Sequence, residues 1–520
     1  MMKTLDDKDF KFVVVGGGVA GWFAALTLQR SYPNTTITVV ESSKIGSVGV
    51  GESTTPQIIQ LFDELGISVS DLLKNTNATI KNGIKFTNWH GDGKHFFHGF
   101  GTIPELSYEH CTLLNHCDVP LLALQAIASG NCLDEVELSA IASEKNQLKF
   151  TRNGSIDPNS NKIFHFKNLG NFAIHFDADC MIKYLRSIGI QRGINTIDSV
   201  VTGVKEDTEG YITDLFLQGG STKCDFVIDA SGFNRILIGK HFQSPWKSYR
   251  AHLPIKRAIP FHLPIDAEEI PPYTEAIAMK YGWMWKIPVQ GRFGCGYTFD
   301  SDYISDEEAH REIEEATGQT VDVRNILDFD GGAYTRPWVK NCMAIGLASA
   351  FIEPLESTAI WIGIQTMKSF LANVKGLTHR SQAHIDQHNS RVNVMADEVL
   401  NFVHLHYLTE RSDTPFWRDF EVKNSPPEMI RRLTEANRDI TRFSDIMTGF
   451  TNSFTFGSWQ HVGAGVRFFN KEEATTSLES FIQGNRINQY RQQYDSLTHN
   501  LNFVKGSMVR HSDFIQYLKS

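Results

Sequence analysis

Lys11-Phe-Val-Val-Val-Gly-Gly-Gly-Val-Ala-Gly21, then a helical pattern from Trp22 to Arg30, then Ile37-Thr-Val-Val-Glu41, is the stretch that decides the fold. Lys11 to Val15 is short, apolar and β-branched, as a buried parallel strand requires. Gly16, Gly18 and Gly21 fit the dinucleotide fingerprint: a tight turn, a close approach of backbone to pyrophosphate, and close packing of helix on strand. The N-terminus of the helix that follows the glycines offers free N–H groups and a partial positive charge that suit phosphate. Glu41, 20 residues after Gly21, is placed to accept a hydrogen bond from a ribose hydroxyl. A glycine-rich turn without a ligand is the plain alternative, but strand, glycines, helix, strand and acid in order favour a nucleotide. The motif alone does not separate FAD from NAD.

A chain of 520 residues can bury a large core, and its net charge of −9 argues against a nucleic-acid surface. Seven cysteines, an odd number with no Cys-x-x-Cys pair, read as reduced thiols and not as a disulfide framework or a zinc site. The first twelve residues lack the apolar core of a signal peptide, and no apolar run is long enough to span a bilayer. A cytoplasmic protein with no membrane partner is the expectation.

Farther along, Ser47-Val-Gly-Val-Gly-Glu-Ser-Thr-Thr-Pro56 is a glycine-rich loop carrying Gly49 and Gly51. Lys81 precedes an aromatic-histidine cluster, His95-Phe-Phe-His-Gly-Phe-Gly101; alone, Lys81 reads as a solvated charge and His98 as a core histidine. The nucleotide domain returns at Cys224 to Phe233, where a buried strand delivers Asp229 and a turn ending in Gly232. Residues 250 to 300 read as antiparallel strands. Among them Gly282-Trp-Met-Trp-Lys-Ile-Pro288 alternates with period two, so that Trp283, Trp285 and Ile287 share one face. A third return spans Asn341 to Ala359, with Gly346 and Leu347 in a small-residue turn. Pro354 then falls at a first helical position and Glu356 in the first turn of the following helix. From about residue 360 the pattern is mostly helical, broken by the glycine-rich Phe454 to Gly465. The expected organisation is an interleaved nucleotide domain over 1–375, with an inserted sheet at about 240–335, and a helical region over 376–520.

These residues resemble the flavin-dependent halogenases, in the branch similar to tryptophan halogenases, nearly end to end. Trp283-Met-Trp-Lys-Ile-Pro288 matches the family's Trp-x-Trp-x-Ile-Pro signature; Gly49 to Pro56, Phe351-Ile-Glu-Pro-Leu-Glu-Ser-Thr358 and Pro415-Phe-Trp-Arg418 resemble further blocks. The resemblance implies an α/β fold: an FAD-binding Rossmann-like domain of the glutathione-reductase type, an inserted antiparallel sheet and a mostly helical C-terminal region. It implies FAD, used as FADH2, held by Gly16, Gly18, Val19, Ala20, Gly21, Glu41, Gly49, Gly51, Asp229, Gly232, Gly346 and Leu347. Lys81 and Glu356 stand at the family's catalytic positions, and Ser357, Thr358 and Ala359 at its halide loop. His98, Phe100 and Trp459 match substrate-pocket positions. Trp283 and Trp285 would form the barrier between flavin and substrate.

The implied partners are a separate flavin reductase supplying FADH2, a halide ion and a small aromatic substrate; a homodimer is compatible with this. Two positions depart from the pattern. Ala359 stands where the family usually has Gly, and it keeps the backbone N–H that a halide needs. Between Arg442 and Ser458 there is neither a Tyr nor a Glu, whereas tryptophan halogenases place both upstream of the pocket Trp to hold the amino acid's charged ends. An indole-like aromatic is therefore expected over free tryptophan. A FAD-dependent aromatic monooxygenase on the same scaffold is the competing activity. In the implied chemistry, halide is oxidised to hypohalous acid, Lys81 holds the oxidant near the target carbon, and Glu356 accepts the ring proton.

Overall fold

The computed structural model describes residues 5, 9–46, 51–100, 121–152, 166–168, 171–323, 325–446, 453–481, 488, 495 and 508–519; Gly49 lies outside them. The chain divides into two compact units. Met1–Thr76, Phe176–Tyr249 and Asp330–Asp397 form the first, and Asn77–His175, Arg250–Phe329 and Glu398–Ser520 the second. This division differs from the expected 1–375 and 376–520. Strand pairing, not contiguity in the chain, decides where residues 77–175 belong.

The first unit is built on a six-stranded sheet in the order Asn195–Asp198, Thr36–Glu41, Lys11–Val15, Phe226–Asp229, Cys342–Ala344, Trp338–Val339. The first five strands run parallel, and the last closes the edge antiparallel. The three segments read as returns to one nucleotide domain are thus neighbours in one sheet. Their register sets Val15 beside Asp229 and Asp229 beside Ala344, so three strands end level and run into glycine turns at Gly16, Gly232 and Gly346. The helix Val19–Ser31 follows the first turn, with Gly21 to Leu26 and Leu28 buried. The helix Ala178–Gln191 packs on it, with Gly189 making room for the Trp22 ring, which a Cβ there would meet at 2.5 Å.

The second unit is organised by a seven-stranded sheet whose centre is the expected antiparallel set Arg257–Pro264, Tyr273–Ala278, Gly282–Val289 and Arg292–Phe299. It extends beyond the expected insertion. Gly83–Thr87 adds to Tyr273–Ala278 in parallel, and His95–Gly99 adds to Gly83–Thr87 antiparallel. Period-two alternation in Gly282–Val289 holds. Met284 enters an apolar core with Ile259, Tyr297, Phe299 and Ile313, while Trp283 and Trp285 occupy the other face with ring centroids 6.1 Å apart.

Two local expectations are corrected. Phe454 to Gly465 does not break the helices; Phe456–Gly465 is itself a helix. Thr455 caps it by accepting from the Ser458 amide, and its glycines serve packing: a Cβ on Gly463 or Gly465 would lie 2.2 Å from the ring of Phe469 or Phe96. Pro354–Glu356 is a separate 3-10 turn, and the long helix Thr358–Ala372 begins only after Ser357, whose φ of 58° is left-handed. Glu356 is therefore outside that helix, and the dipole of its first turn does not account for this carboxylate.

Gly296 faces Trp285 across the sheet, and a Cβ there would lie 2.1 Å from the indole. Gly296→Ala must displace that ring, and should lower stability by about 1–3 kcal/mol in urea denaturation. Unchanged stability would mean the indole is not fixed over this glycine.

Candidate active site

In the first unit the level strand ends build a glycine-lined shelf. Gly16 has a φ of 118° and its amide donates to the Val40 carbonyl at 2.8 Å; a Cβ there would strike the Ala230 carbonyl at 2.2 Å. Gly21 is equally closed, with a Cβ 1.9 Å from the Gly16 carbonyl oxygen. Gly18 and Gly232 differ: a Cβ on either meets nothing within 4 Å. Gly18 is also the residue that precedes the helix Val19–Ser31, so the open space lies at helix N–H groups with no intrahelical partner. Two glycines lock backbone on backbone, and two leave room for a ligand.

Glu41 ends its strand above Gly17, where a Cβ would lie 2.0 Å from the carboxylate. Arg186 Nε donates to it at 2.7 Å and Trp22 Nε1 at 3.3 Å. Asp229 is bonded to its own loop. Its Oδ1 accepts from the Ser231 amide and hydroxyl, and its Oδ2 from the amides of Leu237 and Ile238, each at 2.6–3.1 Å. With these four bonds to its own loop, Asp229 shapes the turn at Gly232. Gly346, with a φ of 61°, brings the following turn to 2.8 Å of Ala20 Cβ from its own would-be Cβ. Glu356 and Thr358 are buried beside Ser357, and Thr358 and Ala359 offer the first-turn amides of the helix Thr358–Ala372.

The second unit holds the amine and the aromatic residues. Lys81 ends the strand Thr79–Lys81 with 0% exposure, and its Nζ lies 4.9 Å from the centre of the Phe100 ring. A fully buried lysine is rare outside a built environment, so solvation as a surface charge is excluded. His98 packs edge-on to Phe100 (6.4 Å) and to Phe402 (5.6 Å); Phe402 in turn meets Trp459 (5.1 Å) and stacks on Phe454 (3.9 Å). His98, Phe100 and Trp459 thus belong to one aromatic group. The strand of Trp283 and Trp285 is tied to the lysine strand by the Thr79 hydroxyl, which donates to the Pro288 carbonyl at 2.6 Å.

Several residues here carry no signal in the sequence. Phe402 joins His98 to Trp459 from near the C-terminal end of Gln382–His406, where its spacing reads as ordinary helix core. Lys149 is buried and donates to the carbonyls of Phe100 and Asn171 and to Ser139 Oγ, fixing the backbone that presents the Phe100 ring. Burial lowers its ammonium to about 8, opposed by the charge of Glu137. Glu398 accepts from the Ser453 amide at 2.9 Å and from its hydroxyl, anchoring the segment before Trp459. His461, two residues after Trp459, is held down to about 3 by burial and by His98. Arg442 and Asp445 face solvent and lie 3.7 Å apart, so they bring no charge into the aromatic group.

A family model for tryptophan halogenase matches residues 11–478. The tryptophan 7-halogenase KtzQ of Kutzneria sp. (strain 744) is 32% identical over 445 residues, 79% of each chain. The tryptophan 6-halogenase ThaL of Streptomyces albogriseolus is 30% identical over 497 residues, 89% of this chain and 90% of its own. Among solved structures, the tryptophan 6-halogenase SttH of Streptomyces toxytricini superposes with a TM-score of 0.81 at 26% identity, over 98% of this chain and 100% of its own. The flavin-dependent halogenase BrvH of Brevundimonas sp. BAL3 gives 0.77 at 26% identity, over 98% and 100%. The chain belongs to the tryptophan halogenase family, and it is an enzyme.

Among the described residues no helix is long and apolar enough to cross a membrane. Among the described residues burial holds six histidines toward the neutral form: His388, His461 and His511 at about 3, His404 at about 4, His175 well below the usual 6.5, and His90 below it. Each binds a proton more weakly folded than unfolded, so its share of stability is full above 6.5 and is lost as pH falls toward 3–4. Desolvation lifts Asp134 and Glu52 to about 7 and also raises Glu137 and Glu312, and their share runs the other way, lost as pH rises through the raised values. Six histidines outnumber these four carboxyls. The melting temperature should therefore be lower at about pH 5 than at about pH 7.5, as read by scanning calorimetry; an equal or higher value would mean that the carboxyl groups dominate.

Proposed function

We propose that this enzyme uses FADH2, O2 and chloride or bromide to halogenate an indole-like aromatic. The observation that carries this reading is the fully buried Lys81 with its amine over Phe100, in the aromatic group of His98, Phe402 and Trp459. We read the first unit as the FAD-binding, Rossmann-like domain of the glutathione-reductase type. Open space at Gly18 and Gly232, with helix N–H groups at the first, fits a pyrophosphate, and Glu41 retains lone pairs for a ribose hydroxyl. Val19, Ala20, Gly51, Gly346 and Leu347 would complete the cradle. When bound, the flavin supplies with O2 the two-electron oxidation of halide to hypohalous acid. A separate flavin reductase provides FADH2, since the chain carries one nucleotide fingerprint.

In this reading Thr358 and Ala359 hold the halide by their amides, with Ser357 turning the chain into the helix. Lys81 binds hypohalous acid by hydrogen bonding, or as a haloamine formed as the O–halogen bond breaks and water leaves, and fixes the halogen near one ring carbon. Burial in an aromatic pocket keeps the oxidant from diffusing into bulk solvent. Addition of halogen to the ring leaves a cation that must lose a proton, and the Glu356 carboxylate accepts it. His98, Phe100 and Trp459 confine the substrate ring through its faces, and Trp283 and Trp285 wall it from the flavin.

Lys81→Ala should still oxidise FADH2 but form less than about one-hundredth of the halogenated product, measured by mass spectrometry with bromide and indole. Near-normal halogenation would reduce Lys81 to a packing residue. The substrate class is tested by competition. A zwitterion needs placed partners when buried, yet Arg442 and Asp445 point to solvent and Glu398 is engaged by Ser453. In an equimolar mixture, indole should be halogenated faster than free tryptophan. A strong preference for tryptophan with one benzo-ring product would show that other residues hold the amino acid's charged ends.

A further inference from the structure

The strand Thr79–Lys81 has one edge paired with the strand Ala173–Phe176, setting Thr79 beside His175 and Lys81 beside Ala173. Its other edge, carrying the amides of Ile80 and Asn82, has no strand ladder against it. Asn82 N–H donates directly to the Pro272 carbonyl at 2.6 Å. Ile80 N–H donates instead to Nε2 of His511 at 3.0 Å, and His511 Nδ1–H donates to the Ile270 carbonyl at 3.2 Å. The imidazole of a residue 431 positions away thus fills one rung between the lysine strand and the segment Ile270-Pro-Pro272. Lys81 stands between the two anchored amides.

Only a neutral imidazole can do this. One ring nitrogen must accept from an amide while the other donates to a carbonyl, and an imidazolium has no acceptor. Burial supplies the neutrality by holding His511 down to about 3. The backbone of the same segment is fastened independently: Met508–Arg510 pairs with Gln147–Arg152, and His511 N–H donates to the Asn146 carbonyl at 2.9 Å. The ring is therefore presented by an anchored element and contributes one bond to the strand. On the opposite edge His175 does similar work. The single Thr79 hydroxyl proton goes to Pro288, so Nδ1–H of His175 donates to Thr79 Oγ1 (3.0 Å) and Nε2 accepts from Thr274 Oγ1 (3.0 Å).

We propose that His511 is a positioning residue for halogen transfer: its acceptor nitrogen holds the Ile80 amide and thereby fixes the strand that presents Lys81. This rests on the reading that Lys81 carries the halogen. The role belongs to hydrogen-bond acceptance and not to bulk. His511→Gln keeps an acceptor oxygen and a donor at the end of a side chain of comparable reach; His511→Leu keeps volume alone.

The test measures brominated indole formed per FADH2 oxidised, together with hydrogen exchange at the Ile80 amide. His511→Leu should lower product per flavin about tenfold, as loss of one buried hydrogen bond warrants, with flavin oxidation unchanged. Exchange at Ile80 should accelerate while amides of the strand Arg292–Phe299 keep their protection. His511→Gln should stay within about twofold of the parent in both readouts. The inference is overturned if His511→Leu couples like the parent, or if His511→Gln loses as much as His511→Leu, which would make the role one of packing. His511→Phe takes the place of the leucine variant should that fail to fold. Lys81→Met, run in parallel, separates the two ideas. If it halogenates normally the reading of Lys81 has failed; if it is inactive while His511→Leu is fully coupled, only the positioning role has failed.

Discussion

Lys81 has no exposure to solvent, and an ammonium removed from water is among the costliest groups a fold can contain. The second unit sets an aromatic ring against the amine and fastens the lysine strand with neutral hydrogen-bonding side chains. Phe100 presents a ring face to the amine, Thr79 and His175 fasten the strand on one edge, and His511 does so on the other. The buried histidines matter because they are neutral: an imidazolium at His175 would repel Lys81 and lose its acceptor toward Thr274. A second buried lysine, Lys149, is used differently, with three oxygens around its amine and Glu137 nearby. Lys149 is saturated with acceptors and serves as a structural fastener for Phe100.

The first unit obeys a simpler constraint, the level ending of parallel strands. Because Val15, Asp229 and Ala344 stand in register, three chain reversals occur at one edge of the sheet. Backbone must approach backbone there, which only glycine permits at Gly16 and Gly21. Asp229 then does for its loop what a cap does for a helix, absorbing four donors that the reversal would leave unsatisfied. The carboxylate is conspicuous in the sequence for a reason that is conformational.

What could be read from the sequence was whatever depends on local period and local turn chemistry. The fingerprint strand, its helix and Glu41 follow from residues within about thirty positions of one another, and period-two alternation separated Trp283 and Trp285 from Met284. The misreadings arose where distant chain decides. Gly463 and Gly465 look like helix breakers until Phe469 and Phe96 are set against them. Gly83–Thr87 belongs to the sheet because Tyr273–Ala278, almost two hundred residues later, lies beside it. The left-handed turn at Ser357, which separates Glu356 from the helix, has no glycine to announce it. Phe402 and His511 are single residues in helices, and nothing in their neighbourhood distinguishes them from core.

On the proposed chemistry, which passes through hypohalous acid, the enzyme must also keep that oxidant from its own sulfur, since thiols and thioethers are oxidised readily. The period-two strand that carries Trp283 and Trp285 bears on this directly. Met284 lies on the opposite face, and Cys295, paired with Lys286 on the neighbouring strand, lies on the face of Met284. Met279 joins them in the same buried core. Burial pushes the Cys295 thiol up to about 12, so the reactive thiolate is absent at neutral pH. Alternation that places two indoles on one side of a sheet necessarily places the intervening residue on the other. The alternation that sets both indoles on one face thus also sends the oxidisable sulfur of that strand and its neighbour into a closed core.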